Sequence, residues 1–320
     1  MKGKRQVVFV ESVHEILQQR LEASGYETHL RYTSTREELM NEMASFEGLV
    51  IRSRIALDKE FLDACTHLKF IARSGSGLEN IDVDYARSKG IEVFSSPEGN
   101  RDAVGEHAIG MLLMLFNRLH LADREVREGE WNRERNRGLE LQGKTVGIIG
   151  YGVMGSSLGR KLSGFDCAVL AYDKYKTGFG NATVTEASLD RLLEESDIIS
   201  LHLPQTGETK HYVNDAFISR VKKPFFLVNT ARGSHVDTAA LVSGLQSGKV
   251  RGACLDVLEY ELPSLQGLNA DAGKDALHYL GSSEKVVLSP HVAGWTVESY
   301  IKLSTVLAEK ILEWQSRHGH

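Results

Sequence analysis

Three glycines in the middle of the chain have the types and spacing that nucleotide chemistry requires. Gly150, Gly152 and Gly155 follow the apolar run Thr145-Val-Gly-Ile-Ile and precede a helical pattern. In such a turn the first glycine permits the tight bend, the second lets a pyrophosphate approach the backbone, and the third lets the helix pack on the strand. The start of the helix then offers free N–H groups to the phosphates. With Asp173 at the end of the next apolar run, the motif predicts dinucleotide binding.

Asp173 also predicts which dinucleotide is bound. It directly follows Ala168-Val-Leu-Ala-Tyr, the second strand-like run of this region. A carboxylate in that position accepts hydrogen bonds from both hydroxyls of the adenosine ribose and repels a 2′-phosphate. The predicted cofactor is therefore NAD rather than NADP. Lys174 and Lys176 add positive charge nearby but do not change this prediction.

Composition limits the class of protein. The chain has 320 residues, of which 42% are apolar, and a formal net charge of −5. This length suits two globular domains, and no concentrated basic face favours nucleic acid or a membrane surface as partner. The longest apolar run, residues 108–116, is too short to span a bilayer, and no signal peptide is recognised. Three scattered cysteines predict neither a disulfide framework nor a metal site, so we expect a cytoplasmic protein.

Strand-like and helix-like runs alternate from end to end, which predicts an α/β fold with mainly parallel sheets. We expect two doubly wound domains, a Rossmann domain for NAD inserted into a smaller flavodoxin-like substrate domain. Residues 1–101 form the first part of the substrate domain, 102–290 the NAD domain, and 291–320 a segment that returns to the substrate domain. The ligand is expected in the cleft between the domains.

The individual elements follow from the apolar runs. Strands of the first domain are predicted at 7–10, 28–31, 48–51, 70–72 and 91–94. Six strands of the second are predicted at 146–149, 168–172, 198–203, 225–229, 252–256 and 286–289. Residues 102–122 are predicted as one long buried helix, followed by an exposed charged segment at 124–140. Residues 296–315 are predicted as a helix.

Six motifs occur along the chain in a fixed order. They are Ile71-Ala-Arg-Ser-Gly-Ser-Gly-Leu-Glu-Asn-Ile-Asp82, Ser96-Pro-Glu-Gly-Asn100, the glycine turn, Asn229-Thr-Ala-Arg-Gly233, Leu255-Asp-Val-Leu-Glu-Tyr-Glu261 and Ser289-Pro-His-Val-Ala-Gly294. In combination they resemble the D-isomer-specific 2-hydroxyacid dehydrogenase family, and within it a short phosphoglycerate dehydrogenase without a regulatory domain. The resemblance runs from about Gly48 to Thr305. We therefore expect no feedback by serine through such a domain.

The resemblance implies three catalytic residues. His291 matches the general base, and an imidazole suits that task because it titrates near neutral pH. Glu261 matches the acid that orients the imidazole, and Arg232 matches the residue that grips the substrate carboxylate and carbonyl. The family usually has proline directly after the acid, whereas Leu262 intervenes here. Glu259 therefore remains an alternative for the acid.

The same resemblance implies further contacts. Those with NAD are Gly150, Gly152, Val153, Met154, Gly155, Asp173, Leu203, Pro204, Thr230, Ala231, Asp256, Ala293 and Gly294. Those with the substrate are Arg52, Arg73, Ser74, Gly75 and Ser76, of which the turn at 74–77 can form an anion-binding nest. Arg54 lies in the same arginine cluster, which suits a phosphate. His107 and His202 are interpreted as structural.

The implied reaction is hydride transfer between NAD and a D-2-hydroxy acid. The arginines favour 3-phosphoglycerate and 3-phosphohydroxypyruvate, at the entry to serine synthesis. The alternative is a glyoxylate or hydroxypyruvate reductase or another small D-2-hydroxyacid dehydrogenase, and a remote one is an NAD-sensing corepressor-like binding protein. Trp295 stands where the pattern often has serine, so the pattern does not define the shape of the substrate pocket here. Trp131-Asn-Arg133 resembles an arm that crosses a dimer interface, so a homodimer is expected.

Overall fold

The computed structural model describes residues 5–262, 267–269 and 272–318. The chain divides into two compact units. Unit 1 comprises Met1–Asn100 and Trp295–His320, and unit 2 comprises Arg101–Gly294. Each unit contains one parallel β-sheet with helices, so the predicted α/β class with two parallel-sheet domains is confirmed.

Unit 1 has a five-stranded parallel sheet in the order β2-β1-β3-β4-β5. Its strands are β1 (Arg5–Phe9), β2 (Tyr26–Leu30), β3 (Gly48–Ile51), β4 (Phe70–Arg73) and β5 (Glu92–Ser95). This is the flavodoxin-like order, in which the direction of winding reverses between β1 and β3. All five strands were predicted, four of them from mainly apolar runs, whereas β2 is largely polar.

Helices cover both faces of this sheet. They are α1 (Glu15–Ala23), α2 (Arg36–Glu42), α3 (Lys59–Ala64), α4 (Val83–Ser88) and, at the C-terminus, α12 (Val297–His318). The predicted C-terminal helix packs beside α1, where Leu307 and Ile311 are fully buried against one face of the sheet. The opposite face is covered by side chains of α2, α3 and α4. A parallel sheet needs both faces covered, and α12 supplies part of that cover.

Unit 2 has a seven-stranded parallel sheet in the order β12-β11-β10-β9-β6-β7-β8. Its strands are β6 (Thr145–Ile149), β7 (Ala168–Tyr172), β8 (Thr185–Glu186), β9 (Ile198–Leu201), β10 (Phe225–Asn229), β11 (Val250–Leu255) and β12 (Val286–Leu288). Winding starts at β6 and reverses between β6 and β9, as in a Rossmann fold. The sequence predicted six of these strands. It missed β8, whose two residues are too few to show a period.

The helices of unit 2 include one that begins in unit 1. They are α5 (Pro97–Phe116), α6 (Leu119–Arg127), α7 (Val153–Leu162), α8 (Leu189–Glu195), α9 (Asp215–Arg220), α10 (Thr238–Ser247) and α11 (Lys274–Ser282). None of the described helices is long and apolar enough to cross a membrane.

The single helix predicted at 102–122 is wrong. Two helices, α5 and α6, are separated at Arg118, which has a left-handed backbone with φ of 52°. The carbonyl of Phe116 accepts a hydrogen bond from Leu139 N–H instead of continuing the helix, and Arg118 pairs with Glu284 at 2.9 Å. The apolar pattern continues across the break because Leu121 of α6 is also buried. The predicted exposed segment is accordingly helical up to Arg127.

The boundary near residue 290 also differs from the predicted one. Residues 291–294 belong to unit 2, whereas the sequence analysis assigned them to the returning segment. The physical reason is that Asp256, after β11, accepts hydrogen bonds from Val292 N–H and Ala293 N–H, both at 2.9 Å.

His202, which directly follows β9, provides a test of this core. Its Nε2 lies 2.9 Å from Ser200 Oγ, and burial lowers the pKa of His202 from 6.5 to about 4. Because the unfolded chain binds more protons between these values, the contribution to stability is present above pH 6.5 and is lost as pH falls toward 4. Between pH 7 and 4, we expect the free energy of unfolding to fall about 3 kcal/mol further in the wild type than in His202→Gln.

Urea unfolding at a series of pH values measures this difference. His278→Gln, at an exposed histidine of α11, is the matched control and should follow the wild type. Parallel pH dependence of wild type and His202→Gln would show that His202 is not held neutral in the folded state.

Candidate active site

His291 and Glu261 are in direct contact. His291 Nδ1 lies 2.7 Å from Glu261 Oε2, and both side chains are largely buried. The other oxygen, Oε1, accepts the N–H of Leu258 at 2.6 Å, which fixes the carboxylate. No described residue bonds to His291 Nε2. The pair therefore presents one ring nitrogen for proton exchange while the other is held by a carboxylate.

The backbone around His291 is held by Asp256, a buried residue directly after β11. The Asp256 carbonyl accepts His291 N–H at 2.7 Å. Its Oδ1 accepts the Ser289 hydroxyl at 2.6 Å and Val292 N–H at 2.9 Å, and its Oδ2 accepts Ala293 N–H at 2.9 Å. His291 has φ of 55°, a conformation that L-residues rarely adopt. The hydrogen bonds to Asp256 offset that strain and aim the imidazole.

His107, on α5, extends this network. Its Nε2 lies 2.8 Å from Ser289 Oγ and 3.5 Å from Asp256 Oδ1. The hydroxyl stands between the carboxylate and the imidazole, so Ser289 donates to Asp256 and accepts from His107. In a nucleophilic triad the imidazole would occupy the middle position. The geometry supports the structural interpretation of His107.

Glu259, the alternative acid, is engaged elsewhere. Its Oε1 lies 2.5 Å from His211 Nε2, and its Oε2 accepts Thr238 N–H at 3.0 Å and the Thr238 hydroxyl at 2.8 Å. The carboxylate thus joins the start of α10 to His211. Geometry favours Glu261 for the acid's role, which stays a prediction. Pro263, part of the motif's departure from the family pattern, lies outside the described residues.

Arg232 lies on the turn after β10. The Asn229 side chain fixes this turn by accepting Ala231 N–H at 3.1 Å and donating to the Arg232 carbonyl at 2.9 Å. A Cβ on Gly233 would lie 1.9 Å from the Leu258 carbonyl oxygen, so only glycine lets the turn pass this close to the loop before Glu261. Arg232, Glu261 and His291 follow the neighbouring strands β10, β11 and β12, so they share one edge of the sheet.

The glycine turn after β6 has the geometry of a pyrophosphate cradle. Gly150 has φ of 91°, and a Cβ on Gly155 would lie 2.1 Å from the Gly150 carbonyl oxygen. A Cβ on Gly152 would meet nothing within 4 Å, so the space beside it is open. Gly152 also caps α7 without any side-chain hydrogen bond, which leaves the first N–H groups of that helix to a ligand.

Two polar groups fit the remainder of NAD. Asp173 accepts Tyr151 N–H at 2.9 Å through Oδ2 and Tyr175 N–H at 3.0 Å through Oδ1, so its carboxylate is fixed beside the glycine turn. Thr230 Oγ1 is buried without a partner among the described residues. A buried hydroxyl of this kind costs free energy unless a ligand completes its hydrogen bond. Leu203 lies beside Gly150, 3.3 Å from where a Cβ would stand.

In unit 1, the turn after β4 has open N–H groups. Gly75 has φ of 145°, and a Cβ there would lie 1.5 Å from Arg73 Nη1. The Ser76 hydroxyl donates to Asn100 Oδ1 at 2.8 Å, which holds the turn. Among the described residues, Ser76 N–H and Gly77 N–H have no acceptor. Arg73 lies against this turn, and anion binding by residues 74–77 stays a prediction.

The arginines after β3 have different partners. Glu11 Oε2 accepts the N–H groups of Arg52 and Arg54 at 2.7 and 2.9 Å. The Arg54 guanidinium donates to the carbonyls of Val10, Ser34 and Arg31, so it is used within the fold. This corrects its assignment to a phosphate cluster. Arg52 instead stacks on Trp295, with Cζ 4.2 Å from the ring centroid, and burial lowers the pKa of Arg52.

Four residues have a supporting role that the sequence did not predict, although Asp256 was expected to contact NAD. Asn229, Gly233, Asp256 and Ser289 hold the loops that present Arg232 and His291, as described above. Three of them are the first or last residue of a motif quoted above. Their position next to a predicted catalytic loop was the sequence signal that could have identified them. Glu11 has no sequence signal, because its partners lie more than 40 residues away.

Comparison with known proteins assigns the chain to a family. Residues 109–293 match the family described as D-isomer specific 2-hydroxyacid dehydrogenase, NAD binding domain. The chain belongs to this family, and unit 2 is its NAD-binding domain. The chain is 36% identical to a hydroxypyruvate reductase of Thermotoga maritima over 87% of this chain and 88% of that one.

Two further relatives have other names. A D-3-phosphoglycerate dehydrogenase of Archaeoglobus fulgidus is 35% identical over 96% of this chain, which spans 56% of that relative's length. The crystal structure of a D-lactate dehydrogenase from Aquifex aeolicus, complexed with NAD and lactic acid, matches with a TM-score of 0.83. The two chains are 30% identical, over 98% of this chain and 96% of that one.

Gly155→Ala tests the glycine turn. A Gly-to-Ala change inside a helix ordinarily stabilises it, but here the added Cβ would collide with the Gly150 carbonyl. We expect the free energy of unfolding to fall by about 2 kcal/mol, since the overpacked backbone must shift. We also expect NADH to bind about tenfold more weakly.

Chemical denaturation and a fluorescence titration with NADH measure the two effects. Gly164→Ala is the control, because a Cβ at that glycine meets nothing within 4 Å. Equal behaviour of the two variants would mean that Gly155 is not needed for close packing.

Proposed function

We propose that the chain is a dehydrogenase that transfers a hydride between NAD and a D-2-hydroxy acid. The observation that carries the proposal is the contact of His291 Nδ1 with Glu261, which leaves Nε2 for the substrate. NAD, when bound, supplies the hydride acceptor or donor. Family membership supports the assignment, because Glu261 and His291 lie within the residues that match the NAD-binding domain of a dehydrogenase family.

Each residue then has a defined task. During oxidation, His291 Nε2 takes the proton of the substrate hydroxyl, and during reduction it returns that proton. Glu261 holds the ring in position and stabilises the positive charge that the imidazole gains. Arg232 binds the substrate carboxylate with its planar, permanently charged guanidinium. In unit 1, the turn at 74–77 offers N–H groups that can bind an anion.

The proposed substrate pair is 3-phosphoglycerate and 3-phosphohydroxypyruvate, in serine biosynthesis. Arg52 supports this choice because its guanidinium is half-buried, stacked on Trp295, and hydrogen-bonded to no acceptor among the described residues. A cation held in this way is stabilised by a distal anion on the substrate. The second candidate is hydroxypyruvate reduction. It is favoured by the use of Arg54 within the fold, which leaves fewer cations for a phosphate.

We also propose that the protein is a homodimer. Several apolar side chains of α6 and the following arm are exposed, namely Leu119 (53%), Val126 (52%) and Trp131 (78%). Apolar surface of this kind is typical of a protein interface. A cytoplasmic location agrees with Cys65, Cys167 and Cys254, which are all free thiols.

A panel of 2-oxo acids with NADH tests the substrate. We expect kcat/KM for phosphohydroxypyruvate to exceed that for hydroxypyruvate by about tenfold or more, because Arg52 pairs with the phosphate. Arg52→Gln should abolish this preference mainly by raising KM for phosphohydroxypyruvate. Arg87→Gln, at an exposed arginine of α4, should leave the preference unchanged.

Equal specificity constants of the wild type for the two substrates would contradict phosphoglycerate as the substrate and favour the second candidate. No reduction of any 2-oxo acid would contradict the dehydrogenase assignment itself.

A further inference from the structure

Glu208 joins two loops on either side of the glycine turn. One loop follows β7 and carries Lys174 and Tyr175, and the other follows β9 and carries Glu208. Lys174 Nζ lies 2.6 Å and Tyr175 Oη lies 2.8 Å from the same oxygen, Glu208 Oε2. In the sheet, β6 lies between β7 and β9, and the glycine turn follows β6. These contacts therefore connect the loops after β7 and β9, which lie on the two sides of the glycine turn.

The position of Lys174 can affect the choice between NAD and NADP. It is the residue directly after Asp173, whose carboxylate is fixed by Tyr151 N–H. Enzymes that use NADP place a basic side chain close to the ribose to pair with the 2′-phosphate. By its place in the sequence, Lys174 could serve in that way. In the structure, however, the Lys174 ammonium group forms an ion pair with Glu208.

The pKa values agree with a charged pair. The hydrogen bond to Glu208 raises the pKa of Lys174, and the hydrogen bond from Lys174 lowers the pKa of Glu208. Both groups are ionised at neutral pH, so Glu208 cancels the one positive charge adjacent to Asp173. It also restrains Tyr175, whose phenol donates to the same oxygen.

We propose that Glu208 is a specificity residue that selects NAD against NADP by holding Lys174 and Tyr175 away from the ribose 2′-position. The proposal rests on the binding of NAD by unit 2. Discrimination then has two parts. Asp173 attracts the free hydroxyls and repels a phosphate, and Glu208 withholds the cation that would compensate the phosphate charge.

Substitution of Glu208 leaves the fold intact. The Lys174 and Glu208 side chains are 57% and 61% exposed, and an ion pair this exposed contributes little to stability. Lys176 is the other cation of the loop, but its N–H donates to Asp173 Oδ1 at 3.1 Å, and its ammonium pairs with no described carboxylate. Glu208 therefore acts on Lys174 rather than on Lys176.

The test is equilibrium binding of NADH and NADPH, followed by nucleotide fluorescence, to the full chain. In Glu208→Gln we expect the Kd of NADPH to fall by about fivefold to tenfold, because a free lysine pairs with the 2′-phosphate. The Kd of NADH should stay within about twofold of the wild type. Lys174→Ala added to Glu208→Gln should return the Kd of NADPH to the wild-type value, since the gain comes from that lysine.

Asp190→Asn is the matched control, because it removes the same charge from an exposed ion pair with Arg220 on the same unit. It should leave the Kd of both nucleotides unchanged. An unchanged ratio of the two Kd values in Glu208→Gln would overturn the assignment of Glu208. A gain that survives Lys174→Ala, or an equal gain in Asp190→Asn, would overturn it too. Failure of the wild type to bind either nucleotide would instead overturn the proposed function as well.

Discussion

The four hydrogen bonds that Asp256 accepts from residues 289–293 determine where the imidazole of His291 lies. Asp256 is almost fully buried, and a buried carboxylate is costly unless donors satisfy it. The loop after β12 supplies those donors, and His291 in this loop has a left-handed backbone with φ of 55°. Glu261 follows Asp256 on the same loop after β11. Asp256 precedes Glu261 in the chain and holds the loop that carries His291, so it keeps the loops after β11 and β12 together.

The two sheets differ at the switch point, which is the position where the direction of winding reverses. In unit 2 the point between β6 and β9 is left open by a glycine turn, and α7 begins there without a side-chain cap. In unit 1 the corresponding point lies between β1 and β3, where Glu11 places its own carboxylate on the N–H groups of Arg52 and Arg54. The Glu11 carboxylate thus occupies the backbone N–H groups at this point of unit 1. This difference explains why a dinucleotide is assigned to unit 2.

The sequence predicted those features that depend on local pattern. Strands buried on both faces are continuous apolar runs, and the three glycines of the turn have the spacing that is typical of dinucleotide binding, so both were recognised. The break at Arg118 was not, since the apolar period continues through it. Likewise, β8 is held by its neighbour β7 rather than by its own composition.

Side-chain partners were harder to predict than elements. Glu259 and Glu261 are two residues apart and have the same side chain, so the sequence does not distinguish them. In the fold, Glu259 contacts His211 and Glu261 contacts His291. Arg54 was expected to bind a phosphate, but its guanidinium donates hydrogen bonds to the carbonyls of three residues at least 20 positions away in the chain. Such contacts join residues that are far apart in the chain, so no short window of sequence contains them.

The rate constant of hydride transfer in a single turnover, measured for His291→Ala with NADH and a 2-oxo acid, tests the account most directly. His211→Ala is the reference, because His211 also contacts a carboxylate, that of Glu259. We expect a fall of about a thousandfold in His291→Ala with NADH affinity nearly intact, and a rate near that of the wild type in His211→Ala. A His291→Ala variant that transfers hydride within about tenfold of the wild type would contradict the account.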